Sequence, residues 1–192
     1  MNPYKIISYL TYPALWATIG VAILNPIPDS LFSSITASLI LHSLIPLIFV
    51  IYLLKSGQTK SIDLPELSSR IKTVAVAAAC GLVFQFLIIS DQTLKFWNQL
   101  IFVSLLTQFI FNNLKFKISI HVMSITGFFA YFTLDQPLFF SSLGLLISLT
   151  SIALVAYSRF KVKAHTPIEL IAGFTMGIAI VFINQWAYSL WR

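Results

Sequence analysis

The stretch "SRFKVKAHTPIE", residues 158–169, gathers a guanidinium, an imidazole and a carboxylate at Arg159, His165 and Glu169. An imidazole can attack an electrophilic centre, a carboxylate can orient it, and a guanidinium can hold an oxyanion. The four-residue separation of His165 and Glu169 puts both on one face of a helix entry. Glu169 also has a purely structural role open to it. Thr166-Pro167-Ile168-Glu169 reads as a capping box, with Thr166 at the N-cap, Pro167 at the first helical position and Glu169 reaching back. Sequence leaves both roles standing. A second cluster, "NNLKFKISIH" at residues 112–121, supplies Lys115, Lys117, Ser119 and His121. Ser119 fits best as an N-cap. Each histidine sits beside the start of an apolar run, where unpaired backbone N–H groups and the helix dipole favour an anion. With Arg159, Lys115 and Lys117 nearby in sequence, these segments suit a phosphate.

The elements that must position these residues are membrane helices. Of 192 residues, 58% are hydrophobic and only 9% are charged, a balance that excludes an ordinary soluble domain. Seven apolar runs approach the roughly 20 residues needed to cross a bilayer. They cover residues 4–24, 31–54, 71–90, 94–111, 118–132, 138–157 and 167–190, the fifth being the shortest. Breakers or charge mark the joints, as in "NPIPDS" at 25–30, "SDQT" at 90–93 and "LDQP" at 134–137. The longest connection, 55–70, has capping and turn residues and no apolar period. The expected fold class is therefore all-α: a polytopic transmembrane helix bundle of six to seven spans, forming one integral-membrane domain over 1–192. The first run resembles a signal-peptide core, but no soluble domain follows it, so it is read as a span.

Threading these spans back and forth puts Lys5, Lys55, Lys60, Arg70, Lys72, Lys115, Lys117, Arg159, Lys161 and Lys163 on one side, against Lys95 and Arg192. The positive-inside rule makes the basic side cytoplasmic, with the N-terminus inside and the C-terminus outside. Setting aside Lys115, Lys117, Arg159, Lys161 and Lys163 as possible anion ligands preserves the bias. Trp186, Tyr188 and Trp191 suit the opposite interface. Lys161 and Lys163 are equally well explained as ordinary cytoplasmic-loop cations.

Other chemistry is thin. Cys80 is alone, which excludes a disulfide framework. His42, within the second run, is expected to make a core or interhelical hydrogen bond. The histidines and acids show no metal-ligand spacing, so no metal and no cofactor are expected. "GFTMG", 173–177, reads as a small-residue packing face. No nucleic-acid partner is implied.

The two polar clusters together resemble the type 2 phosphatidic acid phosphatase and vanadium haloperoxidase superfamily. "SRFKVKAHTPIE" is similar to its third signature, S-R-x5-H-x3-D, through Ser158, Arg159 and His165, with Glu169 where Asp is usual. "ISIH", 118–121, is similar to the second signature, P-S-G-H, through Ser119 and His121. The order also agrees, with one helix between the signatures and the third preceding the last helix. The resemblance covers about 112–177. It implies that His165 attacks phosphorus, Glu169 orients it, His121 protonates the leaving oxygen, and Arg159 with Ser119 binds phosphoryl oxygens. The first signature, K-x6-R-P, has no counterpart, and Lys115, Lys117 and Arg70 are candidates for its cation. Ile120 replaces the second-signature Gly and crowds the approach. The implied activity is a metal-independent phosphatase acting on a membrane lipid phosphate or isoprenoid diphosphate, in a bacterial inner membrane. A catalytically silent descendant that binds lipid or has a structural role is the alternative.

Overall fold

A computed structural model describes residues 3–24, 34–87, 92–135 and 137–190. Within them the chain is helical, with no strand. The expected joints at 25–30 and part of those at 90–93 and 134–137 lie outside the described residues, as do residues 31–33, Trp191 and Arg192.

The helices are α1 (Pro3–Leu10), α2 (Pro13–Leu24), α3 (Ser34–Lys55), α4 (Leu67–Leu87), α5 (Gln92–Asn113), α6 (Ile120–Asp135), α7 (Pro137–Phe140), α8 (Ser142–Lys161) and α9 (Pro167–Leu190). Five of them, α3, α4, α5, α8 and α9, are long and apolar enough to cross a membrane. Two apolar helices are shorter. At 1.5 Å per residue, the 12 residues of α2 reach about 18 Å and the 16 of α6 about 24 Å.

The first expected span is divided, and Pro13 is the reason. Proline has no N–H to continue the ladder, so it opens α2 instead. The last turn of α1 closes separately, with both the N–H and the hydroxyl of Thr11 donating to the Ile7 carbonyl. A second proline reshapes α3. Its Leu39–Leu44 segment is a π-helix, in which Ile45 N–H reaches the Ile40 carbonyl just before Pro46. Widening the turn there accommodates the donor that Pro46 lacks.

The residues form two compact units: residues 1–13 with 118–192, and residues 14–117. In the second, α4 and α5 pair, and α3 packs on α4. Trp97 covers Gly20 so closely that a Cβ there would come within 2.2 Å of the indole, and its N–H donates to the Ala17 carbonyl at 3.0 Å. The long connection after α3 folds back on itself, with Ser69 Oγ donating to the Gln58 carbonyl at 2.7 Å and Leu64 buried beside Val50 and Leu53. In the first unit, α6 is the central element. Val122, Met123, Ile125, Phe128, Phe129, Tyr131 and Phe132 are all buried on it. Aromatics fill its far end, where Phe132 stacks against Phe128 and Phe139.

Glycine sets the distance between α6 and α9. A Cβ on Gly173 would lie 2.7 Å from the Ser119 carbonyl oxygen, and one on Gly177 would lie 2.7 Å from that of Met123. The "GFTMG" segment is thus a close-packing face, in the way small residues bring membrane helices together.

Candidate functional site

Three helices end in the same device, and two of those ends flank the polar clusters. At the end of α8, Lys163 N–H donates to the Phe160 carbonyl and Ala164 N–H to the Arg159 carbonyl. Lys163 takes a φ of 56°. This is a Schellman closure with lysine where glycine is usual. The end of α5 repeats it, with Lys115 at φ 58°, Lys115 N–H on the Asn112 carbonyl and Phe116 N–H on that of Phe111. The end of α3 uses Gly57 at φ 72°. Such closures turn the chain sharply, so the polar residues that follow stay at helix ends.

Beyond Lys163 the chain enters α9 within three residues. Thr166 N–H donates to Glu169 Oε2 at 3.1 Å, and Glu169 N–H reaches Thr166 Oγ1 at 3.4 Å. The capping box therefore forms. The same oxygen, Glu169 Oε2, lies 2.9 Å from His165 Nδ1. A carboxylate only accepts, so Nδ1 carries a proton, and in the neutral ring Nε2 is the nitrogen with the free lone pair. The two roles open to Glu169 are compatible, because one oxygen accepts both donors. The His165 side chain is 6% exposed.

Backbone bonding brings the second cluster to the first. Ser119 N–H donates to the Glu169 carbonyl at 3.1 Å, joining the start of α6 to the first turn of α9. Ser119 precedes Ile120 as an N-cap should, and the Met123 N–H bonds its carbonyl. Its hydroxyl, however, has no protein partner although the residue is fully buried. The side-chain cap expected from sequence is not made. His121, in the first turn of α6, is 7% exposed, and its ring meets Tyr12 edge to face at 6.4 Å.

Arg159, in the last turn of α8, is 1% exposed, the largest fully buried side chain among the described residues. Burying a guanidinium is costly unless acceptors surround it. Beside it, Ser158 returns its hydroxyl to the Val155 carbonyl at 2.9 Å. The remaining candidates belong to the other compact unit. Lys115 is exposed and Lys117 half-buried. Arg70 donates to Asn112 Oδ1 at 3.4 Å and to the Pro65 carbonyl at 3.3 Å, a role in fastening helix ends. Among the described residues, no group of three or more His, Cys, Asp or Glu could hold a metal.

The structure adds residues that sequence reasoning passed over. Tyr12 owes its place against His121 to the break before Pro13. His42 sits in a buried polar ladder: Nδ1 is 3.1 Å from Ser38 Oγ and Nε2 is 3.1 Å from Asn98 Oδ1. Asn98 in turn donates to the Gly81 carbonyl at 3.0 Å and to Gln85 Oε1 at 2.6 Å. Ser38 continues the ladder to Thr18, and Thr18 to Ser43. The interhelical hydrogen bond expected of His42 is present. Asn98 and Gln85, polar residues inside apolar runs, were the available signal.

No protein-family description, curated protein or solved structure shows a significant match to this chain.

Proposed function

We propose that the chain is a membrane-embedded, metal-independent phosphatase of the type 2 phosphatidic acid phosphatase superfamily, hydrolysing a lipid phosphate or isoprenoid diphosphate. The observation that carries this reading is the 2.9 Å contact between His165 Nδ1 and Glu169 Oε2, which fixes the tautomer a nucleophilic histidine needs. In this mechanism His165 Nε2 attacks phosphorus. An N–P bond forms as the bond from phosphorus to the leaving oxygen breaks, and His121 gives that oxygen its proton. Water then attacks the phosphohistidine, the N–P bond breaks, and inorganic phosphate leaves while His121 recovers a proton from the water. Arg159 and the hydroxyl of Ser119 hold the phosphoryl oxygens, where charge accumulates in the transition state. Glu169 keeps Nε2 aimed and stabilises the positive ring as attack proceeds. Lipid-facing apolar helices suit an acyl or isoprenoid tail.

We further propose six to seven membrane crossings, with α2 and α6 as the shorter ones, in a bacterial inner membrane with the polar helix ends on the cytoplasmic side. The charge bias supports that orientation. Single cysteines at Lys60, Lys117 and Lys161 in a Cys80-free background should resist impermeant thiol reagents in intact cells. Labelling from outside would reverse the orientation.

A catalytically silent, phosphatase-like protein that binds lipid or has a structural role is the second reading, favoured by the burial of His165, His121 and Arg159. Phosphate release by the purified protein in detergent, from a panel of lipid phosphates and diphosphates with chelator present, separates the two. Release supports the phosphatase, and its absence across the panel supports the silent protein.

A further inference from the structure

We propose that Tyr12 is a positioning residue for His121, setting the imidazole for its role as proton donor, and that α1 holds Tyr12 in place. The inference rests on the phosphatase reading and extends it to a segment outside residues 112–177, where the family resemblance assigns nothing.

Local chemistry takes Tyr12 out of both neighbouring helices. Pro13 opens α2, while the N–H and the hydroxyl of Thr11 both donate to the Ile7 carbonyl and close α1. Tyr12 is left between them, half-buried. Its ring centroid lies 6.4 Å from that of His121, with 78° between the planes. Perpendicular rings set the electropositive edge of one against the electronegative face of the other, a contact that favours one mutual orientation.

The other end of α1 is fastened to α8. Tyr4 meets Tyr157 edge to face at 5.7 Å, and Lys161 Nζ stands 5.2 Å from the centroid of the Tyr157 ring. Tyr157 is two residues before Arg159. Residues 4–12 therefore connect the end of α8 that carries Arg159 to the start of α6 that carries His121. A helix of eight residues is not stable alone, so its placement depends on such contacts.

The consequence is geometric. A general acid works only within hydrogen-bond reach of the oxygen it protonates, and a displacement of about 1 Å costs up to about 10²-fold. Ser119 N–H on the Glu169 carbonyl fixes the backbone beside His121 but not its side-chain torsions. For His165 the orienting contact is a carboxylate, and for His121 it is the ring of Tyr12.

The test compares wild type, Tyr12→Leu, Tyr12→Phe, His121→Ala and the Tyr12→Leu/His121→Ala double variant in detergent. For each, kcat/KM per folded molecule is measured on an alkyl lipid phosphate and on an activated aryl phosphate, which reports the steps up to departure of the leaving oxygen. Tyr12→Leu should lose about 10- to 10²-fold on the alkyl substrate and little on the aryl one. It should cost nothing further once His121 is replaced, since the two residues act as one unit. Tyr12→Phe keeps the ring and should stay near wild type on both substrates. A residue that merely packs would lower both activities together or change only Tm. Tyr12→Met, which also lacks the ring, carries the same expectation should Tyr12→Leu not fold. Equal losses on the two substrates, no loss, or full additivity with His121→Ala would overturn the positioning role and leave the phosphatase reading standing. A wild-type protein that releases no phosphate from any lipid phosphate or diphosphate tried would overturn that reading and this proposal together.

Discussion

His42 and His165 begin alike and end differently. Each has its Nδ1 bonded to a residue four positions away, Ser38 at 3.1 Å and Glu169 at 2.9 Å. The partners decide the rest. Asn98 uses its amide nitrogen on Gly81 and Gln85, so its Oδ1 accepts from His42 Nε2–H, while Nδ1 lies against the Ser38 hydroxyl. That ring meets uncharged groups on both edges within a span. His165 faces a carboxylate at a helix entry, which places its proton on Nδ1. A histidine with neutral partners on both nitrogens joins helices. One oriented by a carboxylate beside a helix N-terminus has the arrangement that the proposed mechanism requires of a nucleophile.

The sharpest way to break this contrast is to remove the rings. On the proposed mechanism His165→Ala loses phosphate release on the order of 10⁴-fold or more with both an alkyl lipid phosphate and an activated aryl phosphate. His121→Ala should lose about 10²- to 10⁴-fold on the alkyl substrate and recover much of it on the aryl one, whose leaving group needs no proton. Equal losses on both substrates would take the acid role from His121. Glu169→Gln sharpens the comparison by making the partner of His165 neutral, like that of His42. Its oxygen can still accept from Thr166 N–H, so turnover should fall by roughly 10²-fold or more while Tm barely moves. Full activity in Glu169→Gln would leave Glu169 as a cap alone.

Substitution in the His42 ladder should do the reverse. Asn98→Leu strands His42 Nε2–H and removes the donors to Gly81 and Gln85, lowering stability by about 1–3 kcal/mol with turnover per folded molecule unchanged. A selective loss of turnover there would give the ladder a part in chemistry. Gly177→Ala tests packing alone and should destabilise by about 1–3 kcal/mol, because the Met123 carbonyl, which its Cβ would meet, is backbone and cannot swing aside. The smallest effect belongs to Lys163→Gly. Relieving a positive φ on lysine should raise stability by about 0.5–1 kcal/mol, measured by thermal unfolding in detergent.

Much was legible in the chain because hydrophobic length and capping chemistry are local. The apolar runs announced long membrane helices, and Thr166-Pro167-Ile168-Glu169 announced the start of α9 that the structure contains. "GFTMG" announced a close helix crossing. Local signals failed where a single residue had two uses. Pro13 reads as tolerable inside a long apolar run, yet it divides that run into α1 and α2. Ser119 occupies an N-cap position, yet its hydroxyl does not cap.

Sequence by itself determined that this is an all-helical, membrane-compatible chain with His121, His165 and several of its cations placed at the ends of apolar runs, since composition and four-residue spacings suffice for that. Only the tertiary structure decided which polar groups are satisfied. It paired His42 with Asn98 across 56 positions, joined Ser119 N–H to the Glu169 carbonyl, and buried Thr126 and Asn184 without protein partners. The physical reason is that a hydrogen bond between helices depends on how closely their backbones approach. Here glycines set that approach, and their effect appears only once the opposing helix is in place.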